Sequence, residues 1–144
     1  MTKERLKLDN QICFPLYAAT REMTKRYRPL LAELNITYPQ YLVLLVLWEK
    51  DRISVKDLGK KLYLDSGTLT PMLKRMEEHD LVKRTRSTED ERVVEVILTK
   101  KGKQAEQQAE DIPLQFLELT NLNEEESDQL KRILAKMLNQ LGEE

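Results

Sequence analysis

Cys13 is the only cysteine in the chain, and it stands in the stretch "LDNQICFPLY" between Ile12 and Phe14. A lone thiol cannot close an internal disulfide, so it is either a packed hydrophobe or a nucleophile. Asp9 and Asn10, just upstream, are helix-starting residue types, which would set Cys13 in the first turn of a helix. Free N–H groups and the positive end of the helix dipole favour the thiolate there, and the thiolate is the form that attacks a peroxide. By neighbourhood alone, a cysteine beside Ile and Phe reads more readily as an inert core residue. Tyr17 belongs to the same stretch by sequence. Other reactive groupings do not present themselves. His79 is the sole histidine, no Ser/His/Asp set or His/Cys metal cluster is visible, and Gly59 and Gly67 are wrongly spaced for a phosphate loop. A cysteine peroxidase would need a reductant route and usually a resolving thiol, and the sequence offers neither. The expectation is therefore not an enzyme, and no metal or cofactor.

A second group of residues suits a polyanion. In "LTPMLKRMEEHD" the residues Leu69, Leu73 and Met76 share one stripe, which turns Ser66, Thr68, Thr70, Lys74 and Arg75 outward. Small hydroxyls and Gly67 at the start of such a helix permit close approach to phosphates and base edges, and a helix N-terminus attracts phosphate. Pro71 leaves two possibilities open. If Asp65 caps the helix, Pro71 lies about two turns in and deletes a hydrogen bond; if Thr70 caps it, Pro71 takes the favoured first position. Lys83, Arg84 and Arg86 follow in "LVKRTRS". In "EDER", Asp90 and Arg92 are two apart and would point the same way on an extended strand, so the carboxylate can hold the guanidinium in a fork. An oriented Arg is what insertion into a narrow minor groove requires; a surface ion pair of little energetic consequence is the plain alternative.

The elements that must position these residues are legible as well. Leu8, Ile12, Leu16, Ala19, Met23 and Tyr27 recur at helical spacing, which predicts one amphipathic helix over 9–33. Pro39 opens a second helix, "PQYLVLLVLWEK", apolar on nearly every face and so expected to be buried. Ser54 caps "VKDLGKKL", with Val55, Leu58 and Leu62 inward. "LVKRTRS" and "RVVEVILT" are β-type runs joined by the turn "STEDE", and Val94, Val96 and Leu98 should share the buried face. The remaining residues return to helix, with a kink near Pro113 and Asn123 and Glu126 as a capping box. Short helix, turn, second helix and hairpin make the order of a winged helix-turn-helix, in a mainly α protein with a small β-wing.

Composition agrees. Charged residues make up 34% and aromatics 6%, which favours a helical protein over a membrane or disordered one. The longest apolar run, Leu42 to Trp48, is far too short to span a bilayer, and the charged N-terminus does not resemble a secretion leader, so the expectation is cytoplasmic with no membrane partner. Net charge is −1, which alone argues against nucleic acid. Its distribution does not, because residues 1–53 carry nine Lys/Arg against six Asp/Glu while residues 100–144 carry six against ten.

The stretch "YLDSGTLTPMLKRMEEHDLVKRTRSTEDERVVEVILTKKG", with its D-x-R pair at Asp90 and Arg92, resembles the winged-helix core of MarR-type transcriptional regulators. "ICFPLYAATREMTKRYRPLLAELNITYPQYLVLLVLWE" is similar, more narrowly, to the one-cysteine organic-hydroperoxide-resistance (OhrR-type) repressors and their staphylococcal relatives. The likeness covers essentially the whole chain. It implies a single domain over 1–144, with a winged helix-turn-helix lobe at about 38–99 and dimerisation helices at about 6–34 and 100–142. The implied fold is a MarR-like homodimer of about six helices per chain. The implied DNA-binding set is Asp65, Ser66, Gly67, Thr68, Thr70, Lys74, Arg75, Arg84, Arg86, Asp90 and Arg92, on double-stranded operator DNA. The implied redox set is Cys13 with Tyr27, Tyr38 and Tyr17, of which Tyr27 and Tyr38 would hydrogen-bond the reactive sulfur across the dimer interface. Organic hydroperoxides and small thiols are then the reactants at Cys13, and oxidation releases the repressor from its operator. A MarR-type repressor released by a small aromatic ligand, with Cys13 incidental, is the rival reading.

Overall fold

The computed structural model of the chain describes residues 2–142. A short N-terminal turn, α1 (Thr2–Arg5), leads through a 3-10 turn at Leu8–Asn10 into the long helix α2 (Cys13–Leu31). Asp9 and Asn10 therefore do not cap α2, contrary to the sequence expectation of a helix from residue 9. The Asn10 amide instead donates to the Glu4 carbonyl at 2.6 Å, and Gln11 donates to the carbonyls of Arg5 and Lys7 at 2.6 and 2.7 Å. These side chains satisfy the carbonyls of the preceding turn, so the chain bends before α2 begins. Ile12 is the residue at the cap, and Cys13 is the first helical residue.

Helix α3 (Tyr38–Glu49) begins with a capping box: Thr37 accepts from the Gln40 backbone while the Gln40 side chain accepts from the Thr37 backbone. Its burial is nearly complete, with Val43, Leu44 and Leu47 at 0% exposure, though Leu45 faces outward. Ser54 caps α4 (Val55–Leu62) as expected, and Asp65 caps α5 (Ser66–Glu78) through the Thr68 N–H at 2.7 Å. The Pro71 question is thereby resolved: the ring lies inside α5 and withholds one N–H from its backbone. Gly59 is required at the tight approach between α4 and the turn, since a Cβ there would lie 2.7 Å from the Leu64 carbonyl.

The wing strands β2 (Val82–Arg86) and β3 (Val94–Leu98) pair antiparallel, Val82 opposite Leu98 and Arg86 opposite Val94. A third strand, β1 (Ile53–Ser54), joins β3 on its other edge, giving the order β1-β3-β2. Two residues have no periodicity, so the sequence offered no signal for β1. The predicted kink near Pro113 is a full break: α6 (Lys100–Ala109) ends, and α7 (Ile112–Thr120) restarts with Pro113 in its first turn. That division is why, among the described residues and apart from the one-turn α1, seven helices (α2 to α8) stand where about six were expected. Helix α8 (Glu124–Leu141) carries the capping box of Asn123 and Glu126.

Two apolar clusters result. The larger gathers α3, α4, α5 and the sheet around Leu47, Leu58, Leu69, Leu73, Met76 and Val96. The smaller holds Tyr27, Leu31, Tyr41, Ala109 and Ile112, with Phe116 packed against it. Ile36 and Trp48 touch both. Among the described residues none of α8 is buried, and Leu130, Ile133, Leu138 and Leu141 are exposed together with Ile12, Phe14 and Tyr17 of the N-terminal region.

Candidate functional site

Helix α5 and the wing turn one set of groups outward. Ser66, Gly67, Thr68, Thr70, Lys74 and Arg75 are all exposed, while Leu69, Leu73 and Met76 on the opposite stripe are at 0%. Asp65 is held below the ordinary carboxylate range by the Thr68 hydroxyl and then by the Thr68 N–H, so it stays an anionic cap.

In the wing, Asp90 and Arg92 lie in the turn between β2 and β3, not on an extended strand, yet the expected fork forms. Arg92 Nε donates to Asp90 Oδ1 at 3.2 Å, Nη2 to Oδ2 at 3.3 Å, and the Arg92 backbone N–H to Oδ1 at 3.0 Å. The Arg92 side chain is 91% exposed, so the carboxylate aims a guanidinium that is otherwise surrounded by water. The Arg92 guanidinium, and then its backbone N–H, hold the Asp90 carboxyl below its usual range.

The two upstream arginines are placed differently from Arg92. Arg84 donates from Nε to Glu77 Oε1 at 2.7 Å and from its backbone to Oε2 at 3.1 Å, half-buried, so its head is turned to α5. Arg86 is exposed and donates from Nη1 to the Glu91 carbonyl at 2.8 Å, bracing the wing turn. Sequence reasoning missed Glu77 and Glu91 as partners; a partner that folds back from a helix or a turn leaves no spacing signal.

The residues expected to form a redox set divide into two places. Cys13 is exposed at the start of α2, and Tyr17, one turn on, accepts a hydrogen bond from Arg21 Nη1 at 2.8 Å with the guanidinium 5.5 Å from its ring centre. Tyr27 and Tyr38 are together, ring centres 4.7 Å apart, at the far end of α2. Fourteen residues of continuous helix put Tyr27 about 21 Å from Cys13 along the axis, so the two cannot meet within one chain. The pair has companions that sequence reasoning overlooked. Tyr41 lies 5.7 Å from Tyr27 and 6.2 Å from Tyr38, and Phe116 stacks on Tyr27 at 4.5 Å. The spacing 38, 41, 48 along α3 was the available signal for Tyr41 and Trp48. Burial raises the pKa of Tyr27, with Tyr38 and Tyr41 adding to it; burial also raises Tyr38, and raises Tyr41 with Tyr38 adding. All three hydroxyls therefore remain protonated donors at neutral pH.

No single helix among the described residues is long and apolar enough to cross a membrane. The sequence pattern of the family described as "Transcriptional regulator SarA/Rot" matches residues 25–109. The chain is 55% identical to the organic hydroperoxide resistance transcriptional regulator of Bacillus subtilis, over 96% of this chain and 94% of that one. Its fold superposes on reduced AbfR bound to DNA with a TM-score of 0.80 at 36% identity, covering 99% of this chain and 100% of that one. Against the disulfide form of AbfR, a protein of Staphylococcus epidermidis, the TM-score is 0.65, covering 96% and 97%.

Proposed function

Because the chain belongs to the MarR-type winged-helix transcriptional regulators of the SarA/Rot group and is similar over nearly its whole length to an organic hydroperoxide resistance regulator, we propose that it is a repressor that lets go of operator DNA when organic hydroperoxide oxidises Cys13. It is a regulator and not an enzyme. Residues 38–99 form the DNA-binding lobe. Helix α5 enters the major groove, where Ser66, Thr68 and Thr70 reach base edges and Lys74 and Arg75 reach phosphate. Arg92, aimed by Asp90, enters the adjoining minor groove. Arg84, occupied by Glu77, fixes the angle between α5 and wing rather than touching DNA.

Residues 6–34 and 100–142 build a homodimer, and the exposed apolar face of α8 supports this, since an isolated chain would leave a continuous stripe in water. A two-fold axis that lays one α2 antiparallel to the other brings Cys13 of each copy to the tyrosine cluster of its partner. The hydroxyls there steady the thiolate. The sulfur attacks one peroxide oxygen, the O–O bond breaks, an alcohol leaves and Cys13 becomes a sulfenic acid. A small thiol then condenses with it, releasing water and leaving a mixed disulfide whose bulk the packed interface cannot absorb. The working compartment is the cytoplasm.

The observation that carries this reading is the lone, exposed thiol at the first residue of α2, with Tyr27 at the other end of that helix gathered with Tyr38 and Tyr41 of α3. Cys13→Ser should bind operator as tightly as wild type and stay bound in cumene hydroperoxide. In a gel-shift titration, release of the Cys13→Ser protein at the wild-type peroxide concentration would show that the cysteine is only a packing residue. Release by salicylate instead of peroxide would favour an aromatic-ligand repressor.

A further inference from the structure

Oxidation at the tyrosine cluster has to be felt by α5 and the wing, which pack in the other apolar cluster. Resting on the function proposed above, we infer that Trp48 is the positioning residue that joins the two. Tyr41 meets the indole edge-on, with ring centres 6.4 Å apart at 68°. On its other side the indole Nε1–H donates to the Gly102 carbonyl at 2.9 Å, across 54 residues of sequence. Gly102 lies in the first turn of α6, pressed against the Leu81 carbonyl so closely that a Cβ at this position would collide with it.

Residues 79–81 are the corner where α5 passes into β2, and α6 with its N-cap Thr99 clasps that corner further. The Thr99 N–H donates to the Leu81 carbonyl at 3.1 Å, and Lys101 Nζ donates to the carbonyl of His79, the C-cap of α5, at 2.9 Å. The path therefore runs Tyr27, Tyr41, Trp48, Gly102, Leu81 without a gap. A close-packed interior passes displacement on instead of absorbing it. Ile36 also touches both clusters, but an aliphatic contact slides, whereas an N–H···O=C bond holds a direction. When the partner's oxidised sulfur displaces the tyrosines, Trp48 carries the shift into the hinge of recognition helix and wing.

Trp48 is the only tryptophan in the chain, so its emission in the unmodified protein reports on this joint. Oxidation with cumene hydroperoxide and a small thiol should change the emission with the time course of operator release, and Cys13→Ser should show no change. Trp48→Phe retains an aromatic ring and drops the N–H. It should bind operator in the reduced state like wild type and be oxidised at Cys13 to the same extent by mass spectrometry. Its ratio of oxidised to reduced operator Kd should nonetheless fall about tenfold below the wild-type ratio, within the usual range of coupling between sites. A Trp48→Phe protein with the wild-type ratio would overturn the inference. So would constant emission while wild type releases DNA, a result that decides the matter even if the variant folds poorly. An oxidised wild type that keeps its operator would remove the function reading first, and the joint with it.

Discussion

In the proposed interface with DNA, the wing guanidinium is held in place before any partner arrives. Arg92 is almost wholly in water, and a free side chain of that length would lose much rotamer entropy on binding. The two bonds to Asp90 restrict it beforehand. Arg92→Ala should weaken operator binding by about 1–3 kcal/mol, the scale of a good Arg contact. Asp90→Ala should produce part of that loss although it removes an acid from the proposed DNA-facing surface. Because the Asp90 carboxyl lies below its ordinary value of 3.8, its contribution is present above that value and is lost as pH falls through the depressed one; binding near neutrality should be flat with respect to this group. Anisotropy titrations of both variants test the arrangement, and wild-type affinity in both would remove Arg92 from the interface.

Between α5 and β2 the Glu77–Arg84 pair has the corresponding task for whole elements. Its carboxylate accepts from a side chain and a backbone N–H of the first wing strand, so it fixes the strand to the last turn of α5. Glu77→Gln should lower stability by roughly 1 kcal/mol, a discounted figure for a half-exposed charged hydrogen bond, and should not raise operator affinity. A rise, as deletion of a negative charge beside phosphate would give, would show that the pair does not set the wing angle. This pair also marks the boundary of what was readable beforehand. Caps at Ser54 and Asn123, the stripe of α5 and the hairpin all depend on residues a few positions apart, and all were legible. Glu77 with Arg84, Tyr41 with Trp48 beside Gly102, and β1 beside β3 depend on residues brought together by tertiary packing, which no local period encodes. The start of α2 was misjudged because Asn10 and Gln11 bond backward to residues 4–7, a competition that their residue types alone do not disclose.

At the scale of the molecule, α8 and the N-terminal region expose apolar faces that one chain cannot cover, and α2 separates the thiol from the hydroxyls by about four helical turns. Each sensing site of the proposed dimer is accordingly assembled from two chains, sulfur from one and tyrosines from the other. That separation has a genetic meaning. A chain carrying Cys13→Ser and a chain carrying Tyr27→Phe are each defective as homodimers, yet a mixed dimer of the two holds one complete site, in which the intact cysteine of one faces the intact tyrosine of the other. Co-expression of the two alleles should restore peroxide release of the operator in part, and the double mutant Cys13→Ser/Tyr27→Phe paired with wild type should leave no intact site at all. The reverse pattern, with rescue only from the wild-type pairing, would mean that thiol and hydroxyls act within one chain. A length of helix thus decides which defective alleles can complement each other and which are dominant.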